Sequence, residues 1–127
     1  MSNPDQAASA AAPKPVGPYT PVVRAGDWLV CSGQVPLRDG ILVEGTVGQQ
    51  VAQCVENLSN LLEGRGSGLG QVVKTTVFLT DMADYAAMNE AYVAAFGTHR
   101  PARSAVAVAG LPLGARVEIE AWAYTGG

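Results

Sequence analysis

The spacing of hydrophobic residues along the chain predicts two helices. In the first, apolar residues recur at intervals of four, three and four positions, which places them on one helical face. These residues are Val51, Val55, Leu58 and Leu62. Four glycines over 64–70 would end this helix. The second helix is predicted to begin after Asp84, a suitable N-cap, and to end at Gly97. Its shared face would comprise Tyr85, Met88, Tyr92 and Ala95.

Runs of β-branched residues and period-two alternation predict the strands. The segments are 20–24 and 28–33 around a turn at 25–27, then 71–79, then 103–108 and 115–124 around a turn at 110–112. Residues 36–47 are predicted to form a loop. The order is ββαβαββ, an α+β domain with a mixed sheet and two helices on one face. We expect a flexible tail over 1–15 and one domain over 16–127.

The last strand predicts that the second face of the sheet is not fully solvated. Two carboxylates, Glu118 and Glu120, and two aromatics, Trp122 and Tyr124, alternate with apolar residues and so share one face. Two helices shield only one face of such a sheet. Aromatics beside carboxylates suit a surface that is partly buried against another subunit. We therefore expect a homo-oligomer with sites at its interfaces, the alternative being a monomer with a solvated outer face.

Composition and charge narrow the class of protein. The 127 residues contain 8 basic and 11 acidic side chains, a net charge of −3, and the basic residues are scattered. Proteins that bind nucleic acid through phosphates carry a basic excess or patch, so no nucleic-acid partner is expected. No apolar run reaches the ~18 residues of a membrane helix, and the amino-terminal residues lack the features of a signal peptide. We expect a cytoplasmic protein.

The cysteine and histidine content argues against a metal site. Cys31, Cys54 and His99 are the only residues of their types, too few for a tetrahedral zinc site. A nucleophilic triad would need His99, which no local motif supports. Two buried, reduced thiols are the favoured interpretation of the cysteines, although one disulfide between them is arithmetically possible.

Four local groups could carry chemistry: GPY at 17–19, CSGQ at 31–34, RPARS at 100–104 and VEIE at 117–120. Each has a structural interpretation, namely a turn with an anchoring aromatic, a bulge, a surface salt bridge and a surface or interface charge. Arg103, which begins a strand after a proline turn, would also suit a substrate carboxylate, because its guanidinium offers two parallel hydrogen-bond donors.

Together, these groups give a stronger signal. From about Lys14 to Tyr124 the chain resembles the RidA (YjgF) family of the Rid superfamily, through GPYTP, CSGQVP, VKTTVFLTDMADYAAMNEAY, RPARSAV and GLPLGARVEIEA. The resemblance implies a chorismate-mutase-like fold and a homotrimer, in which three sheets form a central β-barrel and clefts open between subunits.

The resemblance also implies an activity. Its deaminating members hydrolyse reactive 2-imino acids, and their enamines, to 2-keto acids and ammonia, without a metal or other cofactor. Carried over by motif, Arg103 would hold the substrate carboxylate and Glu118 would orient water and move protons. The residues implied to line or support the cleft are Tyr19, Ser32, Gly33, Asn89 and Ala105.

Two departures keep alternatives open. The family often has a cysteine where this chain has Ala105, and often an aromatic residue where it has Arg100. If the first position acts through its backbone carbonyl, alanine preserves the reaction; Arg100 is expected to point into solvent. The alternatives to a deaminase are a non-catalytic trimer that binds small acids or regulates a partner and, least favoured by the charge, a ribonuclease or translation inhibitor.

Overall fold

The structure is a computed structural model that describes residues 14–127. All but the last two residues of the predicted tail over 1–15 therefore lie outside the described residues. In chain order the elements are β1 (Val22–Ala25), β2 (Trp28–Gln34), β3 (Leu37–Arg38), β4 (Ile41–Leu42), α1 (Val47–Glu63), β5 (Val72–Leu79), α2 (Tyr85–Phe96), β6 (Ala102–Ala107) and β7 (Val117–Tyr124).

The main sheet has five strands in the order β1-β2-β7-β5-β6. Every neighbouring pair is antiparallel except β5 and β6, which are parallel and are joined through α2. The sheet is thus mixed and both helices cover the same face, as the sequence predicts. The last strand in the chain, β7, lies at the centre, so its alternate side chains fill the core.

The core lies between the sheet and the helices. The residues predicted for the apolar face of α1 are all at most 2% exposed, which confirms the first helix. Thr46 begins it with a reciprocal cap, because its hydroxyl accepts from the Gln49 N–H while the Gln49 side chain accepts from the Thr46 N–H. Cys31 and Cys54 are buried free thiols, which confirms their predicted state. Neither helix is long and apolar enough to cross a membrane.

The residues predicted to share one face of the second helix are buried to different extents. Met88 and Tyr92 are buried, but Tyr85 is 38% exposed, because it begins α2 at the edge of the sheet and reaches toward β6. Asp84 occupies the N-cap position without a side-chain cap bond. The side chain of Asp81 instead accepts from the Ala83 N–H in the preceding 3₁₀ turn.

The segment predicted as a loop contains the hairpin of β3 and β4. Asp39 and Gly40 both have positive φ, at 52° and 78°, as a two-residue hairpin turn requires. Strands of two residues are too short to show alternation, so the pattern did not predict them. The hairpin is fastened to α1 by Asn57, whose side-chain NH₂ donates to the carbonyls of Val35 and Leu37 at 3.1 and 3.0 Å.

The face of the sheet away from the helices, called the open face below, carries large apolar and charged side chains together. Its members include Trp28, Val30, Phe78, Val106, Glu118, Glu120, Trp122 and Tyr124. Trp122 and Tyr124 are 44% and 40% exposed and both pack edge-on against Trp28. The predicted mixture of aromatics and carboxylates on one face is confirmed.

Candidate active site

A β-bulge brings the glycine of CSGQ against the first glutamate of VEIE. The pairing of β2 with β7 shifts register between Cys31 and Gln34. Ser32 steadies this irregular stretch, because its hydroxyl donates to the Thr20 carbonyl at 2.7 Å. Gly33 then lies so close to Glu118 that a Cβ built on it would sit 2.8 Å from the carboxyl carbon. A side chain at position 33 would therefore displace the end of the Glu118 side chain, and the backbone conformation of Gly33 sets no such limit.

Glu118 is half-buried on the open face of β7. Burial raises the pKa of its carboxyl group above the ordinary value of 4.5, and the negative charge of Glu120, two residues along the strand, raises this pKa further. A carboxyl group whose pKa is shifted toward neutrality is suited to exchange protons as a general acid or base. Glu118 is therefore the strongest acid–base candidate in the described chain.

The tyrosine of GPYT also lies near Gly33. Tyr19 is 39% exposed, and its hydroxyl accepts a hydrogen bond from the Val16 N–H at 3.2 Å. Tyr19, Gly33 and Gln34 line the same surface depression. The structure thus brings together four of the residues singled out in the sequence: Tyr19, Ser32, Gly33 and Glu118.

Those four residues form the first cluster of candidate site residues. Arg103 lies in a second cluster, on the side of the edge strand β6 that faces the helices. Its Nη2 donates to Asn89 Oδ1 at 2.7 Å and to Tyr85 Oη at 3.2 Å, while Nη1 lies 3.6 Å from the sulfur of Met88. The guanidinium also stacks over the ring of Tyr92, 4.9 Å from its centroid. Helix α2 therefore fixes the position of this cation.

Tyr92 is itself held in position by the sheet. Its hydroxyl shares a 2.7 Å hydrogen bond with the buried hydroxyl of Thr75 on β5. Sequence reasoning found Asn89 through the family motif but assigned Tyr85 and Tyr92 only to the apolar face of a helix. Tyrosines spaced seven residues apart on the helix that carries Asn89 were the available signal.

The two clusters do not meet within one chain. In the sheet, Arg103 of β6 lies opposite Thr75 of β5, and Glu118 of β7 lies opposite Phe78 of β5. Arg103 and Glu118 are therefore separated by two strand spacings across the sheet and by three residues along it. This corresponds to a Cα separation of about 14 Å. The side chains also point to opposite faces, since Arg103 contacts α2 whereas Glu118 belongs to the open face.

The other residues considered in the sequence, Ala105, Arg100 and His99, make contacts within the fold. Ala105 is half-buried on the same side of β6 as Arg103 and packs against the core. Arg100 is exposed and donates to the carbonyls of Gly97 and His99 at the end of α2, so it points away from the core. The Nε2 atom of His99 lies 2.7 Å from the Val72 carbonyl.

Neither cysteine is an activated nucleophile, and no metal cluster occurs in residues 14–127. Burial raises the pKa of the Cys31 thiol to about 12 and that of Cys54 further, so both remain protonated at neutral pH. The described residues contain no group of three or more His, Cys, Asp or Glu side chains that could hold a metal ion.

The sequence is similar to a known protein family over most of its length. The model of the endoribonuclease L-PSP family matches residues 9–125. A RutC family protein of Pyrococcus horikoshii is 46% identical over 115 residues, which cover 89% of this chain and 91% of that protein. A mouse protein named 2-iminobutanoate/2-iminopropanoate deaminase is 44% identical over 117 residues, covering 91% and 87%.

A solved structure gives the same result for the fold. RidA from an Antarctic Psychrobacter superimposes with a TM-score of 0.87 at 40% identity and covers 94% of this chain and 98% of that one. The fold and the arrangement of the motifs therefore define an α+β protein of the L-PSP type. The chain belongs to the RidA (YjgF) family of the Rid superfamily, which confirms the resemblance seen in the sequence.

Proposed function

We propose that this protein is a hydrolytic deaminase that converts reactive 2-imino acids, such as 2-iminobutanoate and 2-iminopropanoate, into 2-keto acids and ammonia. The observation that carries the proposal is the Glu118 carboxyl group, half-buried against Gly33 with a raised pKa. The name of the mouse relative supports the substrate class.

Arg103 would bind the carboxylate of the substrate. Its cation is fixed by Asn89 and by the Tyr92 ring, so little side-chain freedom is lost when an anion binds. A guanidinium gives a carboxylate charge-assisted hydrogen bonds in a planar geometry, which orients the adjacent C=N carbon.

Glu118 would carry the proton transfers. Its carboxylate accepts a proton from a water molecule whose oxygen bonds to the C=N carbon as the second C=N bond opens onto nitrogen, and Glu118 then returns this proton to that nitrogen. In the resulting carbinolamine, Glu118 takes the hydroxyl proton and delivers it to the amino nitrogen, so the C=O bond forms as the C–N bond breaks and ammonia leaves. One water is consumed and a 2-keto acid is formed. A carboxyl group with a pKa shifted toward neutrality is suited to both directions of transfer.

We further propose that the active site lies between two protomers of a homotrimer. Arg103 and Glu118 of one chain are about 14 Å apart and on opposite faces, too far for one small imino acid. The Arg103 of one protomer would therefore serve the Glu118 of another. The exposed Trp122 and Tyr124 on the open face support burial against a second copy. The family resemblance gives three as the number of subunits.

Turnover with a matched arginine control tests this function. A threonine dehydratase generates 2-iminobutanoate in place, semicarbazide traps it, and the loss of semicarbazone measures hydrolysis. We expect Arg103→Ala to lower the rate at least about 100-fold, because charge-assisted hydrogen bonds to the substrate are lost. Arg100→Ala removes an exposed arginine nearby and should leave the rate unchanged.

The assay also separates the alternatives. If the folded wild-type assembly gives no turnover, the deaminase proposal is wrong, and a non-catalytic protein that binds small acids takes its place. Equal rates for the two arginine variants and the wild type would leave the reaction standing but remove Arg103 from it.

A further inference from the structure

The guanidinium of Arg103 has fewer free donors than the sequence implies. Its Nη2 atom carries two hydrogens, and the structure directs one to Asn89 Oδ1 and the other to Tyr85 Oη. A carboxylate bound through two parallel hydrogen bonds uses one Nη2 hydrogen together with one on Nη1 or Nε. One of the two present acceptors must therefore move before such a pair of bonds can form.

The two acceptors are not equivalent. The bond to Asn89 is 2.7 Å long and Asn89 is half-buried, whereas the bond to Tyr85 is 3.2 Å long and Tyr85 is 38% exposed at the first residue of α2. The longer, exposed bond is the weaker one, so Tyr85 is the acceptor that gives way.

A tyrosine hydroxyl has a capability that the Asn89 carbonyl oxygen lacks. It both accepts and donates a hydrogen bond, and its hydrogen rotates to suit its partner. When a carboxylate oxygen takes the Arg103 hydrogen now directed at Tyr85, the Tyr85 hydroxyl lies beside that oxygen and can donate to it. No hydrogen bond is then lost in the exchange, and the anion has a third donor.

We propose that Tyr85 is a further carboxylate-binding residue. Its hydroxyl accepts from Arg103 in the free protein and donates to the substrate carboxylate in the complex. The inference rests on the proposed function for the kind of anion, a 2-imino acid or the corresponding 2-keto acid. It assigns a role in binding the ligand to a residue that the sequence pattern placed only on a packing face.

The binding of a 2-keto acid, the product of the proposed reaction, tests the role of Tyr85 without requiring turnover. Isothermal titration calorimetry with 2-oxobutanoate is run on the full chain as the wild type, Tyr85→Phe and Arg103→Ala. The control is Ser59→Ala, which removes a half-buried hydroxyl from α1, outside both the site and the open face. We expect Tyr85→Phe to raise Kd about tenfold, because one hydrogen bond to a charged group is lost. Ser59→Ala should change Kd less than about twofold, and all variants should melt within a few degrees of the wild type.

Three binding results would overturn the assignment. A Tyr85→Phe protein with unchanged Kd shows that the hydroxyl does not touch the ligand, and a tighter Kd shows that it only competes for Arg103. Wild-type binding that is absent or insensitive to Arg103→Ala removes the anion site itself. Arg103-dependent binding that is weakened by Tyr85→Phe, in a protein without imine hydrolysis, supports Tyr85 while overturning the deaminase proposal.

Discussion

Gly33 and Glu118 depend on each other because they occupy adjoining space beside the bulge of β2. The carboxyl group approaches the backbone so closely only because position 33 has no side chain. The same contact contributes to the burial that raises the pKa of Glu118. Glu118 thus supplies the acid–base group, and Gly33 leaves the space that this group occupies.

We expect Gly33→Ala to lower kcat/KM for 2-iminobutanoate by about tenfold or more, because the new methyl group must displace the Glu118 carboxyl from its place. The control is Gly70→Ala, where a Cβ meets nothing within 4 Å. Both rates are measured in the semicarbazone assay. Equal rates for the two variants would show that the position of Glu118 is not set by Gly33.

The raised pKa of Glu118 predicts how stability depends on pH. A carboxyl group whose pKa is higher in the folded than in the unfolded protein stabilises the fold below the unfolded value, near 4.5, and this contribution is lost as pH rises through the folded pKa. Glu118→Gln should therefore raise the melting temperature relative to wild type at pH 7, and the difference should shrink toward zero below pH 4.5.

Thermal melts at fixed protein concentration from pH 4 to 8 measure this difference. Glu56→Gln on the exposed side of α1 provides the control. A difference that grows toward acid pH, or that Glu56→Gln reproduces, would contradict the assigned shift.

The hairpin of β3 and β4 depends on one side of α1 for its position. Asn57 donates to two carbonyls of the segment that leads into β3, and its own oxygen accepts from Gln53 at 2.9 Å. Gln53 in turn accepts from Arg38 in β3 at 3.0 Å. This buried chain of amides fixes the segment that follows Gly33, so α1 supports the site although it supplies no group to it.

We expect Asn57→Ala to lower the free energy of unfolding by about 2–4 kcal/mol, because two carbonyls that are now paired with a buried amide would lose their partner. Glu56→Ala, at the neighbouring exposed position of the same helix, should cost less than about 0.5 kcal/mol. Urea unfolding at equilibrium gives both values. A cost below 1 kcal/mol for Asn57→Ala would show that water or the chain satisfies those carbonyls without it.

For the molecule as a whole, the open face decides whether the two clusters can act together. Trp122 lies on the central strand of that face, with 44% of its surface exposed. We expect Trp122→Glu to convert the proposed trimer into monomers and to abolish imine hydrolysis, because a charge buried between subunits without a partner is costly. The control is Val93→Glu, at an exposed position of α2 with a matching 45% exposure.

Light scattering after size exclusion measures the assembly, with three times the chain mass of 13.1 kDa expected for the wild type and for Val93→Glu. A wild-type monomer that retains full turnover would overturn the interface site. A trimeric, active Trp122→Glu protein would show that the interface lies elsewhere.

Local periodicity was sufficient to predict most of the elements. The intervals of three and four residues in α1 and the alternation in β7 follow from backbone geometry, so they can be read without knowing the partners of each element. The hairpin at Asp39 and Gly40 was missed because its strands contain two residues each. The shared face of α2 was predicted, but the contact of Tyr85 with Arg103 was not, because a helix face predicts direction and not which strand lies beside it.

The sequence by itself determined most of the elements, the family and the identities of Arg103 and Glu118 as candidate residues. It also determined that Glu118 and Glu120 share a face, since alternation is a property of a single strand. Only the tertiary structure decided the strand order, which inserts β5 between the strands of Arg103 and Glu118 and turns these residues to opposite faces. Strand pairing depends on contacts between distant parts of the chain, and these contacts cannot be predicted from local periodicity. For the same reason, only the fold showed that Tyr85 and Asn89 already hold Arg103.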